Sequence, residues 1–496
     1  MHIFSTLFTA ESVDKALSTE EGRREAVRWC RETGITKVYV ESFRGLFIEQ
    51  KILEELRDYF EAEGFEVDGC VTTVKLPKSA INYELVGCYA YQPNHELIEE
   101  IFRRTAAVFE TIMIDDFLFT ACDCEDCKKA AAGRSLERYH SDVMFEMSID
   151  RILKPAKEVN PNCKVIIKYP NWYDAFYSRG YDVVRETEAF DLIWAGNETR
   201  DPDSKQWGCY PQTMACYMMA WDMKLDDAKC MGGWYDAYAC QQATYLEQAR
   251  NTILGGARES MLFCYRLLSE EEVGINAVKA LRPEQEGLHK LAYLIADKKI
   301  VGVSVPKKPN CDAEKERYIA GMYGMLGIPF SAETELDPCA KSVILGEQTT
   351  GYPDVRSYAK EMIHAGKPVA FTDEFFAFTN FDKAEDAIVF SPKGDNWNLM
   401  DIPQKDLDTL RNRLLAPYGV SLNAKSRVGL SLFDDDMEIL QNFNDEAVEV
   451  QIDLKGRNKK VRNIVLVLSQ NKKVVMNREG TSYALTIPAR TLVVLY

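Results

Sequence analysis

The sequence predicts a (β/α)8 TIM barrel over residues 1–298, a flavodoxin-like α/β domain over 299–420 and a small C-terminal β-sandwich-like antiparallel domain over 421–496. Three observations predict it. Strand-like and helix-like runs alternate eight times in the first 300 residues. The strand runs are continuously apolar, as strands of a parallel sheet covered on both faces are. Residue usage then shifts: twelve of the fourteen cysteines and six of the seven tryptophans precede residue 270, and Trp397 is the only later tryptophan. No G-x-G-x-x-G follows a strand, which ranks the barrel above a doubly wound sheet.

The elements follow in order. HIFSTLF (2–8) is the first strand. Ser18 and Glu21 make a capping-box signal for the helix that Gly34 stops. The second strand spans 37–43, and Ile52, Leu56, Tyr59 and Phe60 share one face of the following helix. Strands are expected at 66–74, 111–117, 164–171, 191–198, 230–238 and 260–268, with helices between them. From 299 a shorter alternation begins: KIVGVSV, a helix over ERYIAGMYGMLGI, SVILGEQ, a helix over DVRSYAKEMIHAG, and KPVAFTD. After 421 the helices stop, and six short strands are separated by Asn, Asp, Gly and Lys.

Bulk composition removes several function classes. A net charge of −17 lacks the basic footprint of a nucleic-acid binder. No run of about 18 apolar residues offers a membrane span. The N-terminus, MHIFSTLFTAESVDK, has neither a basic n-region nor an A-x-A-type site, so it does not read as a signal peptide. With fourteen cysteines, the expected location is the cytoplasm, with reduced thiols.

A barrel of this kind does its chemistry at the carboxyl ends of its strands. The polar residues there are Glu41, Asp115, Asp116, Lys168, Asn171, Trp172, Trp194, Asn197, Glu198, Trp234, Tyr235, Asp236, Tyr265 and Arg266. Carboxylates among aromatic rings suit a sugar, whose C–H faces stack on rings and whose hydroxyls need acidic and amide partners. Glycoside hydrolysis needs two carboxyl groups about the scissile bond. Adjacent aspartates in a regular strand face opposite ways. One of Asp115 and Asp116 is therefore expected to face inward, with Asp116, nearer the tip, the favoured catalytic group. Its partner is Asp236 or Glu198, with the acid and nucleophile roles open. Glu41, Lys168, Asn171, Trp172, Trp194, Asn197, Trp234, Tyr235, Tyr265 and Arg266 are substrate-binding candidates. The bland reading of the carboxylates is salt bridging to Arg266 or Lys168.

Cys122-x-Cys124-x-x-Cys127 follows the fourth strand, and Cys88 lies in the neighbouring loop. Four thiolates suit a closed structural zinc site, which leaves no cofactor for catalysis. Three free thiols in a turn are the alternative, and a redox pair lacks a thioredoxin-type setting.

The order of parts, with IDDFLFTACDCEDC after the fourth strand, resembles glycoside hydrolase family 42, the β-galactosidases. The resemblance covers the whole chain. It implies a barrel, a flavodoxin-like domain involved in trimer formation, a C-terminal β domain and a cysteine-bound structural zinc. The family's segment reads I-D-N-E; this chain has Phe117 where the acid/base glutamate stands, so that catalytic pair does not carry over. The resulting expectation is a distant, differently wired, exo-acting glycoside hydrolase on short oligosaccharides, forming a dimer or trimer. The rivals are a sugar-binding pseudoenzyme and a sugar lyase or isomerase using Lys168 and Tyr169.

Overall fold

The computed structural model describes residues 2–204, 206, 210–381, 388–390, 396–459, 461–469 and 473–496. They form two compact units: residues 1–200, 225–252 and 257–283, and residues 201–224, 253–256 and 284–496.

The first unit holds a closed barrel of eight parallel strands: β1 (Ile3–Phe8), β2 (Lys37–Arg44), β3 (Glu66–Thr72), β4 (Thr111–Ile114), β5 (Lys164–Tyr169), β6 (Leu192–Gly196), β7 (Cys230–Asp236) and β8 (Glu259–Phe263). Each strand pairs with its sequence neighbours, and β8 closes on β1 through Ile3 opposite Glu259. Buried ions fill the amino-terminal end. Lys37 Nζ lies 2.7 Å from Asp68 and 3.3 Å from Glu259, and the Tyr39 hydroxyl donates to Glu259 at 3.1 Å.

Two strand ends differ from expectation. The fourth strand stops at Ile114, not Phe117. The Asp115 N–H makes one last bond to the Val71 carbonyl, and the chain then leaves the ladder. The two aspartates are thus free of strand alternation, and the expected opposition of their side chains does not arise. The eighth strand ends at Phe263, and Tyr265–Glu270 is a helix, so Tyr265 and Arg266 sit on that helix instead of a strand tip.

In the second unit a five-stranded parallel sheet runs in the order Phe330–Glu333, Val303–Pro306, Val343–Leu345, Val369–Thr372, Ile388–Phe390. This is the flavodoxin-like order. The single strand expected over 299–305 is divided. Ile300–Val301 pairs antiparallel with Val428–Phe433, while Val303–Pro306 joins the parallel sheet. Gly302 makes the division: a Cβ there would meet the Pro329 carbonyl oxygen at 2.3 Å. The C-terminal strands form two antiparallel sheets, and burial alternates along Val448–Asp453 as a half-buried strand requires. The strand expected at 472–477 begins outside the described residues and is observed as Val475–Glu479.

Candidate active site at the barrel mouth

Where β4 ends, Asp115 and Asp116 turn toward different neighbours. Asp115 is buried and reaches β2 and β3: its Oδ2 accepts from Arg44 Nη2 at 2.7 Å and lies 3.2 Å from the Thr72 hydroxyl oxygen. Its Oδ1 accepts from the Asp116 N–H at 2.8 Å. Asp116 reaches β5, its Oδ2 accepting from Lys168 Nζ at 3.2 Å. The same Nζ donates to Glu198 Oε1 at 2.7 Å and stands 4.2 Å from the centre of the Trp234 ring. One lysine therefore holds two carboxylates. The side chain of Lys168 is 0% exposed, that of Glu198 4% and that of Asp116 20%, so solvent reaches the group through Asp116.

Burial raises the Asp116 carboxyl; Lys168 pulls it down, Asp115 and Glu198 push it up, and it settles at about 7. Asp116 therefore keeps its proton up to about pH 7, as a general acid must. Burial also raises Glu198, against the pull of Lys168. Asp115 goes the other way: burial pushes it up, but Arg44 and Lys168 outweigh burial and hold it below the ordinary value. Lys168 is raised, because Asp116 and Glu198 more than offset its burial. It is a fixed cation.

The other carboxylates are saturated. Glu41 accepts from the Ala10 N–H at 2.6 Å, the Thr72 hydroxyl at 2.5 Å and Arg44 Nε at 2.9 Å. It anchors Arg44, which in turn holds Asp115. Asp236 takes both ends of Arg200, at 3.0 and 2.7 Å, and the Tyr238 N–H at 3.1 Å. Glu198 differs, for its Oε2 is buried without a hydrogen-bond partner among the described residues.

The binding candidates divide by strand face. Trp234 faces inward over Lys168, and Asn171 Nδ2 donates to the Glu198 carbonyl at 2.8 Å, fixing the turn after β6. Trp172 lies at the mouth, under the Arg179 guanidinium at 4.2 Å. Trp194 packs on Tyr39 with centroids 6.0 Å apart, so it fills the barrel interior above the buried ions. Tyr235 points out of the barrel onto Tyr245, and Asn197 points out to where a Cβ on Gly233 would stand, 2.0 Å from its Oδ1. Tyr265 packs on Phe8 and Trp29, and Arg266 pairs with Glu11 and Glu270 at the surface. Tyr169, the acid of the lyase alternative, also points outward, its hydroxyl 3.0 Å from that of Thr187 and donating to the Val183 carbonyl at 3.4 Å. With Lys168 held charged, that alternative loses both its base and its acid. Sequence reasoning missed Arg44 and Arg200. Their signal was an arginine just beyond a strand-end carboxylate, in ESFR and NETR.

The four cysteines converge as expected. The Cys88 sulfur is 3.7 Å from those of Cys124 and Cys127, and all four sulfurs lie within 4.8 Å of one another. Tetrahedral coordination with bonds of about 2.3 Å spaces sulfurs about 3.8 Å apart, so the donor set could hold a metal ion. Burial raises the Cys124 thiol, but the Cys127 N–H and the neighbouring thiols bring it down to about 7.

A parallel eight-stranded barrel with carboxylates and aromatic rings at its mouth offers the groups that sugar chemistry calls for. Residues 1–291 match the family described as "Probable glycosyl hydrolase, catalytic domain". The chain belongs to that family. It is similar to the protein SSO3021 of Saccharolobus solfataricus, with 25% identity over 354 residues, 64% of this chain; the chain spans 58% of that relative's length. The fold is similar to that of Gan42B, a GH42 β-galactosidase from G. stearothermophilus, with a TM-score of 0.62 at 10% identity over 100% of this chain and 98% of that one. It is also similar to the exo-carrageenase GH42 from Bacteroides ovatus, with a TM-score of 0.52 at 10% identity over 100% and 79% of the two chains. The exo-β-1,4-mannosidase Op5Man5 from an Opitutaceae bacterium gives 0.50 at 9% identity over 99% and 92%. At such identities the likeness is one of fold. Among the described residues, no helix is long and apolar enough to cross a membrane.

Proposed function

We propose that the chain is an exo-acting glycoside hydrolase in which Asp116 is the proton donor and Glu198 the nucleophile. One observation carries this reading: Lys168 Nζ binds both groups, at 3.2 and 2.7 Å, so the bound oxygens are within about 6 Å of each other. Retaining enzymes separate their carboxyl groups by about 5–5.5 Å and inverting ones by about 6.5–9.5 Å, so the pair favours retention. Neutral Asp116 would protonate the leaving oxygen while ionised Glu198 attacks the anomeric carbon. Asp116, then ionised, would take a proton from the water that hydrolyses the glycosyl ester. Lys168 favours the ionised form of Glu198, against the burial that raises it, without giving up its own proton. Asp115 stays charged on Arg44 and holds the acid up by repulsion. Asp236, saturated by Arg200, is read as a positioning residue.

The exo mode is supported by burial. A nucleophile 4% exposed is open to the last sugar of a chain more readily than to one passing through. The thiol spacing supports a structural zinc, with Cys88, Cys122, Cys124 and Cys127 as ligands. Such a thiolate site supports a reducing, cytoplasmic location. A homo-oligomer built on the flavodoxin-like domain rests on the resemblance in domain order alone. Aryl α- and β-glycosides with varied sugars, assayed with wild type and Asp116→Asn, test the activity. Release of the aryl group, slowed at least about a hundredfold in the variant, is expected. Equal rates in both proteins would remove Asp116 from the chemistry.

A further inference from the structure

The loop between β3 and β4 carries a small hairpin, Ser79–Ala80 paired with Tyr83–Gly87. Its tip exposes three large apolar side chains: Ile81 at 65%, Tyr83 at 44% and Leu85 at 39%. Such a tip needs a reason. The Tyr83 ring packs on Phe119 with centroids 5.8 Å apart, and Phe119 meets the Trp172 ring edge-on at 4.5 Å. Trp172 packs on Tyr181 at 6.3 Å, and the Tyr181 hydroxyl donates to the Asp116 carbonyl at 3.4 Å. A row of packed rings thus runs from the exposed hairpin to the backbone of Asp116, the residue read above as the proton donor. Phe119 is buried and cannot meet a ligand. It acts as a wedge between two rings that can, Tyr83 and Trp172.

The hairpin is held at its base. Cys88, just past it, joins the sulfur cluster with Cys124 and Cys127. The Thr120 hydroxyl donates to the Gly87 carbonyl at 3.1 Å, and Asn94 Nδ2 donates to the carbonyls of Lys78 and Cys88 at 2.7 and 3.0 Å. Tyr83 is thereby placed by the fold and does not depend on a ligand to order it.

We infer that Tyr83 is the outer platform of a leaving-group subsite, stacking a sugar of an oligosaccharide whose scissile bond lies at Asp116. This rests on the glycosidase reading. The occupant follows from the two accessible rings, Tyr83 and Trp172: they link the hairpin to the strand end that carries the acid, so the departing chain is what would lie over them. Three exposed apolar side chains are also few beside the roughly 20–30 residues a side of a stable subunit interface.

The test uses the full-length protein and a series of oligosaccharides, two to five units long, of whichever sugar the aryl-glycoside panel shows to be cleaved. Wild type should gain in kcat/KM as units are added on the leaving side. Tyr83→Ala should lose about two- to tenfold of that gain, through KM rather than kcat, from an aromatic contact worth about 0.5–1.5 kcal/mol. Tyr83→Phe should keep it. An unchanged length dependence in Tyr83→Ala, with hydrolysis intact, overturns the subsite and leaves the glycosidase reading standing. If Tyr83→Ala instead converts an oligomer to a monomer in light scattering without touching length dependence, the hairpin is a subunit contact and the inference is wrong. No cleavage of any glycoside removes both.

Discussion

Replacing Lys168 by Met keeps an unbranched apolar stem and removes the charge that Asp116 and Glu198 share. Two outcomes compete for Glu198. If it stays ionised it is a buried, unpaired anion, which costs about 3–5 kcal/mol. If it takes up a proton, the cost is that of protonating a carboxyl above its ordinary value of 4.5, about 1.4 kcal/mol per pH unit. That is about 3 kcal/mol at pH 7 and less than about 1 kcal/mol at pH 5, so proton uptake is the cheaper route. Asp116, at about 7 already, adds little. The folded variant then binds a proton that the unfolded chain lacks above pH 4.5, so its deficit against wild type must grow as pH rises. Urea denaturation, followed through the barrel tryptophans Trp172, Trp194 and Trp234, measures this at pH 5 and pH 7. A deficit independent of pH, or below about 1 kcal/mol at pH 7, would refute the view that Lys168 neutralises a buried carboxylate pair.

Other expectations follow from the same geometry. The alkaline limb of kcat/KM should fall near pH 7, where Asp116 loses its proton, and should vanish in Asp116→Asn; a limb near pH 7 that survives in the variant assigns the acid elsewhere. Gly233→Ala should cost about 1–3 kcal/mol, because the added Cβ meets Asn197 Oδ1 at 2.0 Å and Thr252 at 2.5 Å; calorimetry showing no loss would mean the turn after β6 relaxes freely. Metal analysis should find one zinc per chain, and Cys124→Ser should lower both the zinc content and the melting temperature; a zinc-free wild-type protein with normal stability makes the cluster four free thiols.

The barrel was legible because its signal is redundant. Eight apolar runs each followed by a helix leave few other topologies, and the spacing of three cysteines, with Cys88 from the neighbouring loop, named four residues that converge as a set. Strand tips were less legible. TIMIDDF reads as one strand to its end, yet the ladder stops at Ile114, and that stop lets both aspartates face the mouth. Face assignment failed for Tyr235 and Asn197, since both sides of a parallel-barrel strand are apolar and no alternation marks the inner one. Trp194, expected at the mouth, instead packs on Tyr39 in the barrel interior, above the buried ions. The reach of Arg44 to Asp115 and of Arg200 to Asp236 escaped notice because those partners lie at the ends of other strands, and sequence distance does not show which strands are neighbours. Saturation of Glu41 and Asp236, against the open Oε2 of Glu198, is likewise visible only in three dimensions.

The most direct test of the central claim is to incubate the protein with 2-deoxy-2-fluoro glycosides bearing a good leaving group, then map the modified peptide by mass spectrometry. The account predicts one glycosyl ester per chain, on Glu198, because a retaining enzyme traps the sugar on its nucleophile. A label on Asp236 or Asp116, or turnover with inversion and no trapped ester, would contradict it.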